Sequence, residues 1–589
     1  MMPIDADALA AIATRFAARG GQPGLAYGVI AGGELAHSGG CGERWLGGPP
    51  PDADTVFRIA SMTKSFTATL VLMLRDQGAL RLDDPAVGYV PELGGVAPAT
   101  ADSQPITIRQ LLTMTAGFPT DDPWGDRQQG LDPAVFAGLL AGGSVRAAWA
   151  PGTKFEYSNL GYAVLGKVVE SVTGRDYARA IRAEVLGPLG LTQTGYQAAD
   201  FDPAQLARGY RRDGGDWHEL DPDPHGAFAP MGGIFSCVRD LARWVAGFAA
   251  AFPPGADPAS DAGHPLSRAA RREMQLGQVA ITDEAAGPVT RFTGPASISY
   301  GFGLFAEDDP AFGTIVQHSG GYPGYGSQMR WHPVTGLGTV VLANGTYAHA
   351  GALAGELLSA LLTAQAKQGR ERGRYHLRGP FPGGSPWAET LAARDTVMGL
   401  LADWTDDVAE RIFAPNIELD RPLAERQAEI ATLRERIGDF AADADRPAEC
   451  ESPAHCRWWL TGPGGTVAVQ IKLAPLRQPL VQQLVLAVPP ARGSALHEAL
   501  EQLVGALNAG ASGWPAGLAS ADGFDADVAL RQLRIAAAWA GQAVIDCYLA
   551  GNGVSGTTVR LAGPTGKVVL AVETSASGQL QRSEITLVG

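Results

Sequence analysis

The sequence predicts an α+β protein in which one large mixed domain precedes two small repeated α+β modules. Three observations carry this. The first two thirds run from a β-hairpin signal through helical patterns to closing strands, a basic Gly/Pro-rich break follows, and the remainder is self-similar. A chain of 589 residues also exceeds one core, since about 150 residues per domain is ordinary.

The hairpin signal is "PGLAYGVIAGGELAHSGG", two β-type runs around Gly32-Gly33. Next comes "FRIASMTKSFTATLVLMLRDQGAL", where Ser61 can begin a helix and Phe66, Leu70, Leu72, Met73 and Leu74 cover most of its circumference, so that helix is buried. From Pro105 to Leu191 the pattern is helical, broken by loops at Gly117–Gly130 and Ala150–Thr153. Strand-like runs return at "ISYGFGLFAE", "GTIVQHSGG" and "TGLGTVVLANG". These bound a first domain at 1–366, and "KQGRERGRYHLRGPFPGGSP" gives a linker at 367–386.

Beyond it, "LTGPGGTVAVQI" from Leu460 matches "LAGPTGKVVLAV" from Leu561, a spacing of 101 that holds through "LVLAV" and "ITLVG". Upstream, "AERQAEIA" from Ala424 matches "ALRQLRIA" from Ala529 at a spacing of 105. The repeat predicts modules at 387–490 and 491–589, each a helical region and a β-hairpin around Gly-Pro-x-Gly.

Composition narrows the partners. A net charge of -15 repels phosphates and argues against nucleic acid. No apolar run reaches the ~18 residues of a membrane span, and the amino terminus lacks the basic and apolar regions of a secretory signal. Five scattered cysteines do not make a disulfide framework, so the expected setting is reducing and cytoplasmic. Cys450, His455 and Cys456 fall short of four metal ligands at suitable spacing, and no metal or cofactor is expected. The chain lacks Gly-x-Ser-x-Gly, His-Glu-x-x-His and a P-loop, and "YGFGLFA" lies in a strand pattern where a dinucleotide loop would need a following helix.

Chemistry gathers in three places. Ser61 and Lys64 stand three apart, on one face of a helical turn, where a desolvated lysine can take the hydroxyl proton. Tyr157-Ser158-Asn159 stands at a loop-to-helix junction, where a tyrosine near a lysine can shuttle protons and an asparagine can hold an amide. His318-Ser319-Gly320-Gly321 ends an apolar strand, where glycine lets a substrate approach the strand edge.

This order of Ser-x-x-Lys, Tyr-Ser-Asn and His-Ser-Gly resembles the serine β-lactamase and DD-peptidase superfamily, in its class C-like branch, over about residues 5–365. The resemblance implies a β-lactamase/transpeptidase-like domain, an antiparallel five-stranded sheet flanked by helices with a helical insertion. It implies Ser61 as nucleophile, Lys64 as neighbouring base, Tyr157 as general base, Asn159 as an amide ligand, and the N–H groups of Ser61 and Gly321 as oxyanion hole, beside Ser319 and Gly320. His318 stands where the family's lysine would be, and an ordinary histidine titrates near neutrality, which disfavours strong penicillinase activity. His-x-Gly is similar to D-aminopeptidases, amidases, esterases and penicillin-binding-protein-type thioesterases of this fold.

The expected activity is that of a serine hydrolase working through an acyl-enzyme on a small-molecule or peptide ester or amide, extending to D-amino acid derivatives. The alternatives are an acyltransferase or peptide cyclase using the same residues, and a non-catalytic sensor or scaffold. An acidic loop with Asp213, Asp216, Glu219, Asp221 and Asp223 is either solvated surface or a field favouring substrates with a free amine.

Overall fold

The computed structural model describes residues 5–213, 216–252, 263–281, 297–309, 312–371, 386–476, 478–522, 524–564 and 566–588. The chain divides into two compact units, Met1–Pro382 and Gly383–Gly589. Most of the expected 367–386 linker lies outside the described residues.

In the first unit the strands are β1 (Gly24–Ala31), β2 (Glu34–Gly42), β3 (Phe57–Arg58), β4 (Gly209–Asp213), β5 (Asp216–Leu220), β6 (Phe235–Ser236), β7 (Val279–Ala280), β8 (Ser297–Tyr300), β9 (Phe305–Asp309), β10 (Gly313–Tyr322), β11 (Tyr325–His332) and β12 (Leu337–Ala343). Eight of them form one antiparallel sheet in the order β2-β1-β12-β11-β10-β9-β8-β7. The five long strands from β2 to β10 correspond to the expected five-stranded sheet. The sheet is wider than that because "ISYGFGLFAE" folds as the β8–β9 hairpin and adds to the first half of β10, with β7 beyond it.

All eight residues of β1 are buried because both faces of the sheet are covered. Leu25, Tyr27 and Val29 pack with α1 (Ala6–Ala17) and with Leu353 and Leu357 of the carboxyl-terminal helix of this unit. Ala26 and Ile30 face the other core, with Phe66 and Leu70 of α2 (Thr63–Asp76) and Leu241. A Cβ on Gly28 would lie 2.4 Å from a Val238 methyl, so glycine sets how closely that layer approaches. α2 is buried from Thr63 to Leu74, which is why its sequence is apolar around nearly the whole circumference. Its neighbour α3 (Asn159–Thr173) is likewise buried over Asn159–Gly166 and begins under a Ser158 N-cap.

The second unit contains a five-stranded antiparallel sheet and a four-stranded one, each with a helix-packed core. The matching sequence segments fall in matching elements. Strands His455–Gly462 and Gly465–Leu473 flank one Gly-Pro-x-Gly turn, and Gly556–Ala562 and Lys567–Thr574 flank the other. The similar helical segments fall in Leu423–Ile437 and Ala526–Ala540.

Candidate active site

β3 pairs with β6 and delivers the chain into a tight turn, Ala60–Met62, in which Ala60 adopts φ +47°. A non-glycine residue held there is strained, by roughly 1–3 kcal/mol. The strain presents Ser61, half-buried, at the head of α2. One turn on, Lys64 is completely buried, and its ammonium spends its three donors on Ser61 Oγ (2.9 Å), Asn159 Oδ1 (2.7 Å) and the Met231 carbonyl (2.9 Å). Its Nζ also lies 4.8 Å from the centroid of the Tyr157 ring. Burial pulls the Lys64 amine down to about 8, against the opposing charges of Asp122, Asp126 and Asp121.

Tyr157 shares a hydrogen bond with Ser61, so the serine hydroxyl stands between lysine and tyrosine. Burial, joined by the charge of Asp122, holds the Tyr157 phenol well above its ordinary range and keeps it protonated. Its ring stacks on Phe305 and tilts against His318.

Asn159 is completely buried, and its amide is committed at both ends: the oxygen accepts from Lys64 and the nitrogen donates to Asp122 Oδ1 at 2.7 Å. Asp121 caps the start of α3 by accepting from the backbone N–H groups of Asn159 (2.7 Å) and Leu160 (2.9 Å). Asn159 therefore works on Lys64 in this structure, besides any part in holding a substrate.

The third element is the far half of β10. Residues 313–317 pair with β9, but among the described residues 318–322 pair only with β11, so one edge of this half has no strand partner among them. Counting back from the two-residue turn Pro323-Gly324, ladder alternation directs the backbone groups of Ser319 and Gly321 to that open edge. Gly320 sits directly against the Ala60–Met62 turn, where a Cβ would lie 2.2 Å from the Ile59 carbonyl and 3.1 Å from Ala60 Cβ. His318 is buried, with Nδ1 2.6 Å from the Ser319 carbonyl and Nε2 3.4 Å from the Tyr300 hydroxyl. Burial and then Lys64 push its imidazole down to about 3. This corrects the expectation that it titrates near neutrality: His318 supplies no cation and no switch at physiological pH.

All eight expected residues thus lie in three elements whose contacts converge on Ser61, Lys64 and Tyr157. The sequence reading missed Asp121, Asp122 and Asp126, which sit in the loop read only as "Gly117–Gly130", and the Met231 carbonyl. Asp-Asp-Pro at the start of a short helix, Asp122–Gly125, was the available signal for the first of these. The acidic loop placed on 213–223 is largely solvated: Asp213, Asp216, Glu219 and Asp221 are exposed on or beside the β4–β5 hairpin. Asp223 is exposed too, and it accepts from the Tyr322 hydroxyl at 2.5 Å, as Glu219 does from the Tyr210 hydroxyl at 3.4 Å. "YGFGLFA" is the β8–β9 turn, and Gly303 at φ +70° lets it pack on the Lys64 backbone.

A helix-flanked antiparallel sheet with serine and lysine one turn apart beside a tyrosine and an open strand edge defines a class, the serine β-lactamase and penicillin-binding-protein-like superfamily. The profile of the Beta-lactamase family matches residues 9–363, and the chain belongs to that family. Among curated relatives it is 32% identical over 348 residues to Esterase EstB of Burkholderia gladioli, covering 51% of this chain and 80% of that one. It is 29% identical over 205 residues to the D-alanyl-D-alanine-carboxypeptidase/endopeptidase AmpH of Escherichia coli K12, covering 33% and 49%. The alignments span about half the length of the first curated relatives matched. The octameric penicillin-binding protein homologue from Pyrococcus abyssi shares the fold over 99% of this chain and 100% of its own, with TM-score 0.53 and 17% identity. Among the described residues no helix is long and apolar enough to cross a membrane.

Proposed function

We propose that this protein is a serine hydrolase that cleaves an ester or amide through an acyl-enzyme on Ser61. The observation that carries the reading is the 2.9 Å hydrogen bond between Ser61 Oγ and a buried lysine whose amine is held near 8. At pH 7 about a tenth of such a lysine is neutral and able to accept the serine proton.

In acylation, neutral Lys64 removes the Ser61 proton as Oγ attacks the carbonyl. The oxyanion takes hydrogen bonds from the N–H groups of Ser61 and Gly321, each typically worth about 2.7–4 kcal/mol of barrier. Tyr157, protonated at rest, donates its proton to the departing oxygen or nitrogen and is reprotonated from Lys64. Tyr157 is thus a relay acid on the way in, and water reverses the sequence to release the acid product. Asn159 and Asp122 orient Lys64, and His318 packs behind Tyr157 as a neutral wall.

Asp121, Asp122 and Asp126 act on Lys64 from one loop beside the site, with Asp126 about half protonated at pH 7 because burial lifts it to about 7. Their field favours a substrate carrying a free amine, which supports aminoacyl esters and amides, D-amino acid derivatives among them.

The test is intact-protein mass spectrometry after incubation with activated esters, D- and L-aminoacyl amides, peptidyl thioesters and a penicillin. An adduct on Ser61 that is absent from Ser61→Ala is expected, with aminoacyl compounds preferred. Unchanged turnover in Ser61→Ala would reject the assignment. Running the panel with added amine separates hydrolysis from acyl transfer.

A further inference from the structure

Four described non-glycine residues adopt positive φ, and two of them, Ala60 and Tyr347, press on consecutive glycines of one strand edge. Ala60 meets Gly320. Tyr347, at φ +49°, meets Gly321, where a Cβ would lie 2.7 Å from the tyrosine ring.

Tyr347 belongs to the short connection that follows β12, and this connection is tied to the β10–β11 hairpin. Its backbone N–H donates to the Tyr325 carbonyl at 3.2 Å and the Tyr322 carbonyl at 3.4 Å, and the neighbouring Thr346 hydroxyl accepts from Gly324 N at 2.8 Å. Its hydroxyl reaches the other way and donates to Asp126 Oδ2 at 2.8 Å. Asp126 is 4% exposed and stands on the loop that carries Asp121 and Asp122. The tyrosine itself is 46% exposed, far more than a packing residue would be.

A circuit of contacts therefore surrounds the nucleophile. One arm runs from Ser61 through Lys64 and Asn159 to Asp122. The other runs from the Ser61 turn through Gly320 and Gly321 to Tyr347 and Asp126. Both arms end on the 121–126 loop. A residue that bridges the strand edge and this loop fixes the distance between the Gly321 N–H and Ser61, on which oxyanion stabilisation depends.

We infer that Tyr347 is a positioning residue for acyl transfer, holding the Ser319–Gly321 edge against Ser61 through its ring on Gly321 and its hydroxyl on Asp126. This rests on the acyl-enzyme reading above. The groups facing Asp126 are Asp122 and Arg127 on its own loop, Lys64 on α2 and Tyr347, while Tyr322 on β10 and Tyr157 also feel its charge. Burial lifts Asp126 to about 7, so the comparison is made at pH 9, where the carboxylate is charged in wild type and Lys64 is largely neutral.

The experiment measures p-nitrophenyl acetate turnover and Ser61 labelling by a fluorophosphonate in wild type, Tyr347→Phe, Asp126→Ala and the double variant, with thermal melts alongside. Tyr347→Phe is expected to lower kcat about tenfold, the equivalent of one charge-assisted hydrogen bond, with KM within about twofold and the protein still folded by its melt. The double variant is expected to lose no more than the worse single one, as partners in one contact do. Unchanged kcat in Tyr347→Phe, a loss confined to KM, or fully additive losses would overturn the inference. If Asp126→Ala does not fold, Tyr347→Phe alone decides by the same kcat criterion. Wild type that is not labelled at Ser61 would sink the hydrolase reading and this inference with it, whereas labelled wild type matched by Tyr347→Phe sinks the inference alone.

Discussion

The Lys64 ammonium is completely buried, and its three hydrogen bonds only partly offset the lost solvation, so burial pulls it down to about 8. If its neutral form is the base, kcat/KM rises about tenfold per pH unit below that point and levels above it. Asp126→Asn removes a negative charge that favours the protonated amine, so the limb should move to lower pH; an unmoved limb in that variant would separate Lys64 from the profile. His318, held near 3, should leave no inflection around 6.5. A pH–rate series on wild type and His318→Gln checks this, and an inflection near 6.5 lost in the variant would restore histidine as a titrating group. The family's cationic lysine is replaced here by an uncharged ring packed beside Lys64, where a second ammonium would meet both desolvation and repulsion. Fixed attraction for a substrate carboxylate is therefore not supplied from this position.

At the scale of elements, the approach of β10 to the Ala60–Met62 turn is set by glycine. Gly320→Ala places a methyl 2.2 Å from the Ile59 carbonyl and 2.4 Å from Ser327 Oγ. The strand must back away, and overpacking of this kind costs about 1–3 kcal/mol of stability. A displacement of about 1 Å in a catalytic group can cost about a hundredfold in rate. The expected result is a variant that still folds but acylates Ser61 at least tenfold more slowly, measured by rapid mixing with an activated ester; wild-type acylation would mean the glycine serves packing alone. These elements were unevenly legible. The buried helix after Ser61, the Gly32-Gly33 hairpin and the strands around His318 announce themselves through apolar period and glycine placement, both local signals. The Ser61–Lys64 pair was legible because its spacing is one helical turn. Asp121, Asp122 and Asp126 were not, because a carboxylate in a loop acquires meaning only when folding brings Lys64 and Asn159 to it. Tyr347 was hidden for the same reason: positive φ and a contact 26 residues along the chain from Gly321 leave no mark in a pattern. The charge run at 213–223 drew attention that belonged to the quieter loop at 121–126.

At the scale of the whole molecule, each unit encloses cores of its own. The first holds the cores on the two faces of its large sheet, one containing Phe66 and Leu70 and the other Leu25 and Leu353. The second holds one core around Val469 and Ile471 and another around Val559 and Val568, which are the two copies of the repeat. Bodies with separate cores need not unfold together, and a single two-state transition is not the expectation for such a chain. Calorimetry should resolve at least two transitions. Phenylboronic acid, whose boron adds reversibly to a serine hydroxyl, would bind only where the Ser61 site is folded, and at a hundred times its dissociation constant it should stabilise that unit by about 2.7 kcal/mol. Only the transition of the first unit is expected to rise, and it should stay in place in Ser61→Ala. If every transition rises together in wild type, the two units unfold as one cooperative body, and the repeats contribute to the stability of the catalytic unit. If none rises while Ser61 is still acylated by an ester, the boronate is a poor mimic here and the ester acyl-enzyme becomes the species to melt.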